Sequence, residues 1–121
     1  MGSIPDFDET EMATIRNRVD ERFGEGAVEL HHADVELRLD PGSSDLTECP
    51  AIYWEAGECH FLVIKTGEGY RNQFFYSARE QYGTGIEEYS DLDDCVATLL
   101  RIQADQESVR RGSFPASEAA E

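Results

Sequence analysis

Apolar residues concentrate in the middle of the chain, in two runs separated by a turn that contains two glycines. Residues 59–65 include four consecutive apolar side chains, and residues 70–77 include three consecutive aromatic ones. A run that is apolar on both faces is typical of a strand covered on both sides. The pattern therefore predicts a hairpin at the centre of an antiparallel sheet.

Helical periodicity occurs on either side of this hairpin. Asp8 and Glu11 have the spacing of a capping box, and apolar side chains then recur at helical spacing as far as Gly24. Near the C-terminus, Ser90 is the predicted N-cap of a second amphipathic helix, whose acidic first turn is favoured by the helix dipole. We expect one helix at each end of the chain.

Two interpretations remain open for the segment between the first helix and the central hairpin. Its apolar alternation changes phase, with Val28 and Leu30 in one phase and Val35 and Leu37 in the other. A two-residue turn at residues 33–34 would pair Leu30 with Leu37 in a further hairpin. A single strand would need a bulge at the phase change. We favour the hairpin.

Turn-forming residues separate the remaining strands. Residues 40–50 are rich in Pro, Gly, Ser and Asp, which indicates a surface loop. A strand is expected at residues 51–55, and a short last strand at residues 86–89. The order of elements predicts an α+β fold: an N-terminal helix, an antiparallel meander of four to six strands, and a C-terminal helix packed on the sheet.

The chain has the length of one domain. We expect residues 1–7 to be a flexible lead-in, residues 8–112 to form a single α+β domain, and residues 113–121 to be a disordered acidic tail.

The charge of the chain favours some kinds of function and disfavours others. The chain has 26 acidic and 10 basic residues, a net charge of -16, spread along its whole length. Such a surface repels itself in dilute salt and is screened in molar salt. The composition therefore predicts a halophilic protein of a high-salt cytosol; the rival interpretation is an acidic surface that mimics nucleic acid or docks a basic partner. Direct nucleic-acid binding is disfavoured, because it needs clustered Lys and Arg.

The number of cysteines and the hydropathy of the sequence indicate the cellular compartment. Three cysteines leave one unpaired in any internal disulfide scheme, and the sequence has no apolar run of membrane length. We predict a cytoplasmic protein that does not contact a membrane.

The histidines and cysteines provide the candidate metal ligands. His32, Cys49 and Cys59 are the subset that could converge, and zinc accepts these ligand types. Because paired ligand motifs such as CxxC are absent from the sequence, we favour buried cysteines and predict no metal or other cofactor. Carboxylates beside the cysteines would raise a thiol pKa, so we predict no catalytic residue.

Aromatic residues supply the preferred functional site. In a sheet covered by helices on one face, alternate aromatic side chains must point to the other face. We predict a partner-binding surface formed by Trp54 and Phe75, with Arg71 and Arg79 as polar contacts. The predicted function is a non-enzymatic protein-interaction or self-associating domain, with a protein partner or a second copy of the chain as its ligand.

Two other functions remain as alternatives. The first is a small-molecule-binding protein or hydrolytic enzyme with a pocket between the sheet and the C-terminal helix, where Arg71, Arg79 or His60 would provide polar contacts. The second is a metal sensor that uses His32, Cys49 and Cys59.

Overall fold

The computed structural model of the chain describes residues 4–38, 42, 44–77, 80–82 and 88–111. These residues form two helices and five strands in the order α1 (Glu9–Phe23), β1 (His31–Leu37), β2 (Thr47–Ala56), β3 (Cys59–Lys65), β4 (Tyr70–Ser77), β5 (Glu80–Tyr82) and α2 (Leu92–Arg111). The strands form one antiparallel sheet in sequence order. The predicted α+β fold, with its meander and its packed C-terminal helix, is confirmed. Neither described helix combines the length and apolar character needed to cross a bilayer.

The first helix begins as its sequence predicts. Asp8 accepts a hydrogen bond from the backbone N–H of Glu11, and Glu11 accepts one from the backbone N–H of Asp8, both at 2.8 Å. These bonds satisfy two backbone donors that a helix start otherwise leaves unpaired. The helix then buries Ile15 and Val19 completely against the sheet side of the molecule.

The second helix begins one residue later than predicted. Asp91, rather than Ser90, provides the cap, because its carboxylate accepts a hydrogen bond from the backbone N–H of Asp94 at 3.2 Å. The carbonyl of Asp91 also accepts the first helical bond, from the N–H of Cys95. Arg18 of α1 donates two hydrogen bonds of 2.7 Å to Asp93 and so joins the starting turn of α2 to α1.

The predicted hairpin before β2 is wrong. Residues 31–37 form one strand that pairs with β2 in a continuous register from His31 opposite Tyr53 to Leu37 opposite Thr47. No bulge is needed, because each face of the sheet has its own apolar cluster. Leu30 packs against the cluster beneath the helices, whereas Val35 and Leu37 pack against the cluster on the opposite face.

Two strand boundaries also differ from the prediction. Strand β2 begins at Thr47, so the last four residues of the predicted loop 40–50 are paired; residues 39–41 and 43 lie outside the described part of the chain. The last strand is β5 at Glu80–Tyr82, ahead of the predicted last strand at residues 86–89. Of the predicted strand 86–89, Tyr89 pairs with Tyr70 through two backbone hydrogen bonds, and residues 86 and 87 are not described.

Both helices cover one face of the sheet. Trp54, Phe61 and Phe74 come from three neighbouring strands on this face and are fully buried. They pack in one cluster with Val96 and Leu99 of α2. Burial of a large apolar side chain contributes about 1.5–3 kcal/mol, so this interface is the main source of stability.

The opposite face has a smaller apolar cluster. Cys49, Ala51 and Ile64 are buried there, and Ile4 packs against them. Phe7, by contrast, is buried in the cluster beneath the helices, with its ring centroid 6.4 Å from that of Tyr70. Two residues of the predicted lead-in thus contact the domain, while the predicted tail 113–121 lies outside the described residues.

Candidate functional site

Four rings cross the sheet on the face opposite the helices. They come from four adjacent strands and are partly buried or exposed: His31, Tyr53, His60 and Phe75. Successive ring centroids lie 6.1, 6.0 and 5.0 Å apart, and the last two pairs are stacked. We call these four residues the ring row. Both described helices pack on the other face, so the ring row is the aromatic part of the sheet that they leave uncovered.

A hydrogen bond fixes the centre of the ring row. The Tyr53 hydroxyl and Nδ1 of His60 lie 2.7 Å apart while the two rings stack. Burial raises the pKa of Tyr53 above its ordinary value, and the nearby carboxylate of Glu55 raises it further. Tyr53 therefore stays protonated at neutral pH, and its ring is held in one orientation by the bond to His60.

Few carboxylates lie on the ring-row side of strands β1–β4. Alternation along β1–β4 places only Glu55 among the acidic strand residues on the side of the ring row. On β1 and β2, Asp34, Glu36 and Glu48 point to the opposite side. Glu29, just before β1, adds a carboxylate 3.9 Å from Nε2 of His31. In a chain with 26 acidic residues, the small number of carboxylates on this side of β1–β4 distinguishes the ring-row face from the opposite face.

The structure divides the predicted partner-binding residues. Phe75 belongs to the ring row, and Arg71 lies on the same face, opposite Ile64. Trp54 does not: it has 0% exposure and stacks on Phe61 beneath the helices at 5.3 Å. Its assignment to the partner-binding surface is therefore wrong. Arg79 lies outside the described residues.

The predicted metal ligands are not brought together. Cys49 lies on the face of the ring row, whereas Cys59 lies in the cluster beneath the helices. His32 is exposed on strand β1, on the opposite face from Cys49. Among the described residues, no group of three or more His, Cys, Asp or Glu side chains could hold a metal ion.

The polar residues predicted for a pocket beneath α2 also lie elsewhere. Arg71 and His60 point away from α2, on the ring-row face. Burial raises the pKa of Cys49 and raises the pKa of Cys95 to about 12, so neither of these two thiols is activated as a nucleophile. The side of the sheet next to α2 instead carries the packed side chains of the main core.

The predicted partner-binding surface did not include three members of the ring row: His31, Tyr53 and His60. The signal that could have found them is alternation, because Tyr53 must face away from Trp54 and His60 must face away from Phe61. That signal separates the two faces but does not say which one the helices cover.

No family model, curated protein or solved structure matches the chain. A function is therefore inferred from the geometry and charge of the molecule itself.

Proposed function

We propose that this chain is a non-enzymatic, self-associating domain in which the ring row lies at the centre of an interface with a second copy of the chain. The observation that carries the proposal is the ring row itself, an aromatic surface on a sheet face where strands β1–β4 place a single carboxylate, that of Glu55. Aromatic residues are enriched, and charged residues depleted, at the centres of protein interfaces.

Charge favours a second copy as the occupant. Each chain has a net charge of -16, so two chains approach most easily where carboxylates are fewest. A symmetric dimer brings the same patch of both chains together, and here it would join two faces on which strands β1–β4 place few carboxylates, while the acidic surfaces stay in solvent. A basic partner, by contrast, would be attracted to the carboxylate-rich surfaces elsewhere on the molecule.

The preorganised rings also favour association. Stacking and the hydrogen bond between Tyr53 and His60 already restrict these side chains in the single chain. Ordering a mobile side chain at an interface costs roughly 0.5–1.5 kcal/mol. The ring row avoids part of that cost, because its rings are ordered before the partner arrives.

The proposal includes a high-salt environment. In dilute salt the two chains repel each other, whereas the screening length shrinks to about 3 Å at 1 M salt. Association is therefore expected to strengthen with salt, and a cytosol rich in potassium chloride is the setting that fits the composition.

Sedimentation equilibrium in about 2 M potassium chloride, where charges are screened, tests the proposal. The wild-type chain of 13.6 kDa is expected to reach twice that mass. Phe75→Glu places a charge in the ring row and is expected to give a monomer with a native circular dichroism spectrum. Ala13→Glu is the matched control, because Ala13 is exposed on α1 and its variant adds the same charge away from the sheet. A monomeric wild-type chain, or a Phe75→Glu variant that dimerises like the control, contradicts the proposal.

A further inference from the structure

A groove between the two helices concentrates positive charge in an acidic protein. Arg18, Glu21 and Arg22 of α1 line one side, and Arg101 of α2 lines the other. The floor is apolar and includes Leu100, which is buried. The chain has only 10 basic residues against 26 acidic ones, so three guanidinium groups around one groove stand out from the composition.

Two of these arginines are not neutralised within the described residues. Arg18 forms an ion pair with Asp93 through two hydrogen bonds and also contacts Glu21. Arg22 and Arg101, by contrast, have no carboxylate at ion-pair distance in the described part of the chain. The hydrogen bond that Arg22 donates to the neutral oxygen of Gln103 is long, at 3.4 Å.

We propose that this groove binds a small organic oxyanion, a carboxylate or a phosphate ester with an apolar group. The planar guanidinium groups of Arg22 and Arg101 would bind the oxyanion, since such groups recognise carboxylate and phosphate with paired hydrogen bonds. The apolar group would contact Leu100 and its neighbours Ala97 and Ala104.

The size of the groove limits the ligand. Its volume is about 250 Å³, which is below the range of roughly 300–1,000 Å³ typical of pockets for drug-sized ligands. The ligand is therefore about the size of one ring with one anionic group. The rest of the molecule repels anions, so a bound oxyanion depends on this local reversal of charge.

Nuclear magnetic resonance titrations with phenyl phosphate and with phenylacetate test the proposal and separate the two anion types. At least one probe is expected to give saturable shifts at Arg101, Leu100 and Ala104. Arg22→Gln and Arg101→Gln are each expected to weaken binding about tenfold or more, which corresponds to roughly 1.4 kcal/mol for a lost charge-assisted hydrogen bond. Benzyl alcohol, which keeps the ring without the anion, is expected not to saturate the site.

Arg38→Gln is the matched control. Arg38 is exposed after β1, away from the groove, and its variant removes the same charge. The control is expected to bind like the wild type. The proposal is overturned if neither probe saturates, if the shifts are spread over the surface, or if Arg38→Gln weakens binding as much as Arg22→Gln does.

Discussion

Tyr53 and His60 lie on neighbouring strands, diagonally across the register, with stacked rings and a 2.7 Å contact between the Tyr53 hydroxyl and Nδ1 of His60. This pair joins the half of the ring row that comes from β1 and β2 to the half that comes from β3 and β4. An aromatic and polar pair of this kind is common at interface centres, because the rings supply contact area and the polar groups orient them.

Stability measurements separate the two aromatic faces. Trp54→Ala is expected to cost about 3–5 kcal/mol of unfolding free energy, because it opens a cavity beneath the helices. Phe75→Ala is expected to cost distinctly less, because Phe75 is only partly buried. Trp54→Phe should lie between them, since it keeps a ring and removes a buried Nε1 that has no hydrogen-bond partner in the described part of the chain. Urea unfolding in molar salt measures all three; a Phe75→Ala cost as large as that of Trp54→Ala contradicts the assignment.

Trp54 and Phe75 also show how much of the fold and of the site the sequence alone predicts. The helix at each end, the capping box at Asp8 and the central strands follow from local patterns. The face that the helices cover does not, because β3 is apolar on both sides, with Phe61 and Val63 on one and Leu62 and Ile64 on the other. Only the packing of the helices determines which of the two sheet faces is covered. The sequence pattern therefore does not reveal that Trp54 lies on the covered face.

The error at β1 has a related cause. A change of apolar phase was interpreted as a turn, because one strand usually buries one face. In this sheet Leu30 packs in the apolar cluster on one face and Val35 packs in the cluster on the other. The change of apolar phase therefore marks a change of face along one strand, and the chain does not reverse there. The groove between the helices escaped prediction because it depends on how Arg22 and Arg101 are placed by two helices distant in sequence.

Glu11 is expected to make stability depend on pH in the acidic range. It accepts hydrogen bonds from Lys65 at 2.9 Å and from Tyr70 at 2.5 Å, besides the one from Asp8. Burial alone would raise the pKa of Glu11, but these hydrogen bonds and the charge of Lys65 lower it below its ordinary value overall. A carboxylate with a lowered folded-state pKa stabilises the protein above its unfolded pKa, and this stabilisation is lost as the pH falls through the folded value.

Glu11→Gln is accordingly expected to cost about 1–3 kcal/mol at neutral pH, with the gap to the wild type closing below about pH 4. Urea unfolding at a series of pH values measures the gap. Glu9→Gln is the control, because Glu9 is exposed in the same turn and should show little effect. A gap that stays constant from neutral to acidic pH would refute the role given to the Glu11 carboxylate.

Gly69 is expected to tolerate no side chain. A Cβ atom there would lie 2.4 Å from the carbonyl oxygen of Tyr89, whose backbone is hydrogen-bonded to Tyr70. Gly69→Ala should therefore cost about 1–3 kcal/mol or more through overpacking. The loss should appear in hydrogen exchange as faster exchange of the Tyr70 and Tyr89 amides. Glu68→Ala, an exposed change in the same turn, provides the control, and equal exchange in both variants would contradict the packing argument.

Salt is expected to raise thermal stability. Between dilute and about 2 M potassium chloride the melting temperature should increase by roughly 10 °C, the shift expected in a domain of this size if screening restores about 2 kcal/mol. The increase should shrink near pH 4, where carboxylates begin to protonate. Differential scanning calorimetry measures both conditions. A melting temperature that does not respond to salt would contradict the proposed high-salt environment.

Isotope-filtered nuclear magnetic resonance most directly identifies the surface that two associating chains share. Labelled and unlabelled chains are mixed in molar potassium chloride, so that any nuclear Overhauser effect between them must cross the interface. We predict such effects from the ring protons of Tyr53 and Phe75. Effects confined to the helices α1 and α2, or none at all, would contradict the ring row as the site of self-association.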